Sequence, residues 1–186
     1  MRRTSWLVPI AAAALTAAPI AGLGQQMNPM SDSDYIAKVS TAAPAAVVKG
    51  ATIVRMDPSG SPGLMKVLQQ GSNGFTCMLA GPDPMCADAN AMKWAQAYLG
   101  HTTPPDVVGF AYMLAGDSGT SNTDPYARVQ TPDNHWVQTG PHVMIVGSVV
   151  KTMGYPMSAD ASASGPYVMW ANTPYAHLMI PVNPQP

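Results

Sequence analysis

Glutamate is absent from the sequence, and all ten acidic residues are aspartates. The chain therefore cannot carry the His-Glu-x-x-His helix of zinc proteases, or an EF-hand loop that ends in a bidentate Glu. Phenylalanine is scarce as well, because Phe75 and Phe110 are the only two. A hydrophobic core must draw its volume from other side chains, and the fourteen methionines are the obvious supply, since Met is a pliable core filler.

Charge is also sparse, with nine Lys and Arg residues against ten Asp. The basic residues form no cluster, so the composition argues against binding to nucleic acid or to an anionic membrane. Partners of other kinds, a small molecule or a protein of the cell envelope, stay open.

Long hydrophobic runs are missing except at the start of the chain. Residues 1–24 begin with Arg2 and Arg3, continue through an apolar stretch and end in small residues, an order typical of a secretory signal peptide. Two prolines and many alanines make a transmembrane anchor the weaker interpretation, and no second apolar segment of about 20 residues follows. We therefore expect a signal peptide at 1–24, a flexible start at 25–31 and a single domain at 32–186, with no membrane span after cleavage.

The two cysteines, Cys77 and Cys86, are close in sequence. In an exported protein such a pair predicts a disulfide, and the glycine and prolines between them let the chain reverse. Free thiols would be favoured only if the protein were not exported. The spacing excludes a Cys-x-x-Cys redox site.

Hydrophobic periodicity predicts an α+β fold with a largely antiparallel sheet and one main amphipathic helix. A short helix is expected in "SDSDYIAKVSTAAP", and a hairpin in "AAVVKGATIVRM" and "LMKVLQQ" on either side of "DPSGSPG". "ADANAMKWAQAYLG" is expected to be the main helix, and the disulfide is expected to tie its first turn to the strand at Cys77. The apolar face of this helix would be formed by Ala91, Trp94, Ala95, Tyr98 and Leu99. "DVVGFAYMLAG" and three segments after Gly140 predict further strands, and residues 116–140 predict a long polar connection.

Two strand-like segments, "HVMIV" and "HLMIP", share the pattern His-x-Met. Residues two apart on a strand project from the same face, so His142 with Met144, and His177 with Met179, could each hold one metal ion. Imidazole and thioether are soft ligands that suit Cu(I), and four ligands would converge if the two strands were neighbours. The alternative is that both histidines bond loop carbonyls while both methionines fill the core.

Aromatic residues cluster in "PYVMWANTPYAH" around a turn. Tyr167, Trp170 and Tyr175 are candidates for a ligand surface, because Tyr and Trp are enriched at interfaces. Packing between neighbouring strands is the competing explanation.

Catalytic motifs find little support. "GDSG" at 116–119 resembles the nucleophile segment of chymotrypsin-like proteases, but the His and Asp that such enzymes need are not suitably placed upstream, and a turn explains the segment better. Neither a Gly-x-Ser-x-Gly elbow nor a phosphate-binding glycine loop occurs.

The segments "GSNGFTCMLAGPDPMCADANAMKWAQAYLG", "GFAYMLAGDSGTSNTDPYA", "PHVMIVG" and "GPYVMWANTPYAHLMIPV" resemble a family of small exported bacterial proteins that has no assigned activity. The resemblance covers residues 71–182. It implies a periplasmic or secreted location, and it supplies no catalytic residues.

Three functions follow as hypotheses. The first is an exported module that binds a small ligand or a protein without chemistry of its own. The second is an envelope copper-binding protein that uses the two His-x-Met strands. The third is a small hydrolase, for which the sequence shows no pairing of nucleophile and base. Whether the protein is an enzyme is left open, with the balance against it.

Overall fold

The computed structural model describes residues 30–56 and 65–182. The expected signal peptide, most of the expected flexible start and the "DPSGSPG" connection lie outside these residues. Within them, no helix is long and apolar enough to cross a membrane.

An eight-stranded sheet organises the molecule, with its strands in the order β2-β1-β3-β4-β5-β8-β10-β9. Neighbouring strands are antiparallel except β1 and β3, which are parallel. The α+β fold with a largely antiparallel sheet is thus confirmed. The strands of this sheet are β1 (Thr52–Met56), β2 (Met65–Gln69), β3 (Phe75–Ala80), β4 (Asp83–Asp88), β5 (Gly109–Met113), β8 (His142–Val146), β9 (Tyr167–Met169) and β10 (His177–Pro181).

The main helix, α3 (Ala89–Leu99), begins where the sequence predicts it, because the Asp88 carboxylate accepts a hydrogen bond from the backbone amide of Ala91 at 2.7 Å. Its buried side chains are those of Ala91, Trp94 and Ala97. Leu99, which was expected on the same face, is 62% exposed because it lies at the last turn, beyond the edge of the contact with the sheet.

Two further helices lie near the start of the described chain. α1 (Asp32–Val39) is capped by Ser31, as predicted. α2 (Ala45–Gly50) occupies the first half of "AAVVKGATIVRM", which the β-prone composition wrongly assigned to a strand. Pro44 explains the difference, since its carbonyl accepts the amides of Val47 and Val48 and so starts a helical turn that the two alanines favour.

The two faces of the sheet are covered by different elements. α1 and α2 pack on one face, in a cluster that contains Val39, Ile53 and both cysteines. α3 and the connection after β5 cover the other face, in a larger cluster built around Trp94 and several methionines. The α3 backbone approaches β5 closely, because a methyl group placed on Gly109 would lie 2.2 Å from the amide nitrogen of Ala91.

Cys77 and Cys86 form a disulfide, which confirms the predicted pairing. They are directly opposite each other on β3 and β4, and both are completely buried. The expectation that the bond reaches the first turn of α3 is wrong, since strand β4 continues to Asp88 before the helix begins. The disulfide therefore closes a hairpin rather than joining a helix to the sheet.

The connection between β5 and β8 is better ordered than its composition suggested. It contains a small two-stranded sheet, β6 (Thr120–Ser121) and β7 (Trp136–Val137). Trp170 fastens it to the core, because the indole Nε1 donates to the carbonyl of Ser121 at 2.7 Å and the Trp170 amide donates to the carbonyl of Asn122 at 3.0 Å. The connection therefore covers part of the α3 side of the sheet.

Candidate functional site

The two His-x-Met strands, β8 and β10, are adjacent and antiparallel. Met144 and Met179 are directly opposite each other, whereas His142 is opposite Pro181 and His177 is opposite Val146. At about 3.3 Å per residue, the two histidines are separated by about 13 Å along the strands. Adjacency therefore brings the two methionines together and leaves the imidazoles at opposite ends of the strand pair. The sequence analysis held that four ligands would converge if the strands were neighbours, but the antiparallel register separates the two histidines.

His142 lies at the beginning of β8 and has no exposed surface. Its Nδ1 is 2.7 Å from the carbonyl oxygen of Gly140. A carbonyl can only accept a hydrogen bond, so Nδ1 carries the proton and Nε2 of the neutral ring presents a lone pair. Burial lowers the pKa of His142, which keeps the ring neutral.

The Nε2 atom of His142 is buried without a hydrogen-bond partner. Four buried side-chain polar atoms in the described residues share this property, and this one is the only histidine nitrogen among them. An unpaired buried polar atom costs about 1–3 kcal/mol, so its retention calls for a physical reason.

Asp117 is the charged group closest to this nitrogen, with its Oδ2 atom 4.0 Å from Nε2. Its other oxygen, Oδ1, accepts hydrogen bonds from the backbone amides of Gly119 and Thr139 at 2.9 and 3.0 Å. These bonds fix the carboxylate beside the ring while Oδ2 stays directed toward it. Desolvation raises the pKa of Asp117 despite the two amide donors, and the side chain is 11% exposed.

The hydroxyl groups near this pair are bonded to other partners. Ser118 of the "GDSG" turn donates from Oγ to the Asp83 carboxylate at 2.8 Å, and its amide bonds the same oxygen. Thr139 Oγ1 is 2.8 Å from the hydroxyl of Tyr167. Neither hydroxyl is hydrogen-bonded to His142.

Methionines occupy the positions next to His142 on the sheet. Met113 on β5 is directly opposite it, and Met144 projects from the same face two residues further along β8. Met113, Met144 and Met179 are buried in one cluster, and Met85 packs against that cluster. The strand register thus places Met113 and Met144 at the positions next to His142 on one face of the sheet.

His177 is in a different environment. Its ring centroid lies 5.3 Å from that of Trp94 and 4.8 Å from that of Trp170, edge to face in both cases. Nδ1 is 3.0 Å from the carbonyl oxygen of Tyr175. Burial lowers the pKa of His177 to about 4, so the ring is neutral near pH 7.

The expected ligand surface of Tyr167, Trp170 and Tyr175 is buried, with 3, 8 and 5% of the side chains exposed. Trp170 and Tyr175 belong to an aromatic cluster around Trp94 and Tyr98, and Tyr175 also donates its hydroxyl hydrogen to the carbonyl of Thr102. In this structure these three side chains pack in the core instead of forming an exposed platform. Tyr167 alone among them borders an open cavity, of about 230 Å³, beside residues 156–166.

The two remaining histidines lie apart from this region. His101 stacks on Tyr126 with ring centroids 4.2 Å apart, and His135 pairs with Asp160 at 2.7 Å. Across residues 30–56 and 65–182, no group of three or more His, Cys, Asp or Glu side chains is arranged to hold a metal ion.

Met113 and Asp117 are the residues of the His142 site that the sequence analysis missed. Met113 ends the strand predicted in "DVVGFAYMLAG", but its alignment with His142 depends on a strand pairing that spans about thirty residues. Asp117 was interpreted as part of a turn and was not connected with His142. Comparisons of the chain with protein-family models, with curated proteins and with solved structures found no match.

Proposed function

We propose that this protein is an exported bacterial binding protein without chemistry of its own, and that it holds its ligand at the His142 end of β8. One observation carries the proposal: the buried Nε2 lone pair of His142 has no partner within the protein. A lone pair in that state is satisfied when an electron-pair acceptor, either a hydrogen-bond donor or a metal ion, binds beside it.

Binding explains the geometry better than catalysis does. A histidine that activates a side-chain nucleophile lies within hydrogen-bond reach of that hydroxyl or thiol. Here Ser118 and Thr139 are bonded elsewhere, and both cysteines are joined to each other. The small-hydrolase hypothesis therefore gains no support from the residues around His142.

Export is supported by the disulfide and by the sequence of residues 1–24. Disulfides persist in oxidising compartments such as the bacterial periplasm, and are rare in the cytosol. The basic and apolar start has the composition of a signal peptide. Fractionation of bacteria that express the full chain tests this part. We expect a shortened protein with no free thiol outside the cytoplasm, and full-length reduced protein in the cytoplasm would contradict export.

The binding site is tested by the thermal stability of the exported protein in the presence of small-molecule and metal-ion panels. We expect at least one class to raise the midpoint of unfolding, because a ligand that binds only the folded state stabilises it. The effect should disappear in His142→Gln and persist in His101→Asn, a control in which Asn tolerates the positive φ of 54°.

Two results would overturn the proposal. If no stabilising ligand depends on His142, the site is not the binding site. If the exported protein hydrolyses an ester, amide or phosphoester and His142→Gln abolishes that turnover, the protein is an enzyme.

A further inference from the structure

We infer that the ligand is a soft monovalent metal ion, Cu(I) by its chemistry, coordinated by His142 Nε2 together with the thioether sulfurs of Met113 and Met144. The inference rests on the proposed function, because it names the ligand class for the same site. It differs from the arrangement expected from the sequence in adding Met113 and omitting His177 and Met179.

The imidazole is prepared to be a metal ligand. Metal-binding histidines ordinarily donate the proton of one ring nitrogen to a carbonyl or carboxylate, which fixes the tautomer and orients the other nitrogen toward the ion. The bond from His142 Nδ1 to Gly140 does this at 2.7 Å. Nε2 is then the ligand atom, and it needs to lose neither a proton nor a protein hydrogen bond in order to bind.

The sulfur atoms come from the nearest positions on the same face. Met113 is the cross-strand partner of His142, so their Cα atoms are about 4.5–5.5 Å apart, and Met144 is about 7 Å away along β8. Both methionines are buried, and Met side chains have three rotatable bonds with which to adjust. One nitrogen and two thioethers form a soft set that favours Cu(I) over magnesium or calcium. Met179 on β10, directly opposite Met144, is the next methionine on this face of the sheet.

Asp117 supplies the compensating charge. A cation in a buried site is costly unless an anion lies near it, and the Asp117 carboxylate has one oxygen 4.0 Å from Nε2. The partial exposure of Asp117 also places the site next to solvent, from which an ion can enter.

The His177 end of the strand pair lacks these features. Met169 is directly opposite His177, so a histidine and methionines are present there too. The ring, however, contacts the indoles of Trp94 and Trp170 rather than a carboxylate. The His177 end serves as a matched control, because it has the same types of residue as the proposed site, a histidine and methionines, in different surroundings.

The test is a titration of the purified, disulfide-intact protein with silver nitrate, and with Cu(I) kept reduced by ascorbate in competition with a chromophoric chelator. We expect one tight site per chain. Met113→Leu and Met144→Leu, which preserve volume, should each weaken binding by about tenfold or more, and His142→Gln should abolish the tight site. Met169→Leu should leave the affinity unchanged. The methyl NMR signals of Met113 and Met144 should shift on addition of Ag(I), whereas that of Met169 should not.

Equal affinity in wild type, His142→Gln and both leucine variants would refute the site, because exposed methionines would then account for the binding. Absence of tight Ag(I) and Cu(I) binding would also refute it. If a different ligand still stabilises the wild type and not His142→Gln, the proposed binding function survives and only the metal assignment fails. If no ligand of any class depends on His142, both fail together.

Discussion

Acid should destabilise this protein through His177. The histidine is 3% exposed and packed against two indoles, so the folded protein binds a proton there only below a pKa of about 4. In the unfolded chain the same ring has a pKa near 6.5. Between these values the unfolded state holds more protons than the folded state, and the free energy of unfolding must therefore fall as the pH is lowered through this window.

The size of the effect follows from the two pKa values. Each pKa unit corresponds to about 1.4 kcal/mol, so lowering the pH from about 7 to about 4 should cost about 3 kcal/mol through His177 alone. For a domain of ordinary stability, about 5–15 kcal/mol, this is a large fraction. The lowered pKa of His142 acts in the same direction, and the raised pKa of Asp117 acts in the opposite one. A comparison of variants is therefore needed to isolate His177.

The measurement is urea-induced unfolding at several pH values between about 4 and 7. His177→Phe retains a ring between the two indoles and removes the titration, so its free energy of unfolding should depend on pH less steeply than that of the wild type. Equal slopes in the wild type and His177→Phe would show that His177 is not held neutral by burial, and the reasoning would be refuted.

Three further tests address the packing of the fold. Gly109→Ala should destabilise the protein by about 3 kcal/mol or more, because the added methyl group meets the α3 backbone. Gly165→Ala places a methyl group in open space, so it should change the free energy of unfolding by less than about 0.5 kcal/mol. Equal effects of the two substitutions would contradict the close approach of α3 to Gly109. Replacing Cys77 and Cys86 together by Ala should lower the free energy of unfolding, measured in urea, by about 2–3 kcal/mol, because the disulfide closes a short loop in the unfolded chain. An unchanged free energy of unfolding would mean that the hairpin is already ordered in the unfolded chain. Tyr35→Phe should lower the free energy of unfolding by about 1–3 kcal/mol, because the Tyr35 hydroxyl donates to a carbonyl of β1 and accepts from an amide of β3. An unchanged midpoint of urea unfolding would indicate that water takes the place of the hydroxyl.

The main helix and strands β5 and β8 could be predicted because each carries its own local signal. α3 has Asp88 as a cap and Trp94 within an apolar face, and β5 and β8 alternate between buried and half-buried residues. Such patterns depend only on neighbours a few positions away, and burial of an apolar face reinforces them. The disulfide was accessible for the same reason, since two cysteines on either side of a turn need no long-range information.

The sequence predictions were wrong where contacts with other parts of the chain outweigh the local sequence pattern. Val47 and Val48 favour a strand by composition, but the Pro44 carbonyl and the two alanines start a helix that packs against the disulfide side of the sheet. The connection at 116–140 lacks periodicity, so its order depends on Trp170, which comes about thirty residues after the connection ends. Composition alone contains neither of these contacts.

Strand register decides what the two His-x-Met segments can do. In a parallel pair with equal register, both histidines would lie side by side and the four ligands would converge. The antiparallel pair is instead centred on Met144 and Met179, which makes the two halves pseudo-symmetric and gives each histidine its own methionine neighbours. What then distinguishes the halves is their surroundings: a carboxylate beside His142 and two indoles beside His177. If the proposed site is correct, the same short pattern supplies a ligand site at one end of a strand pair and a core histidine at the other.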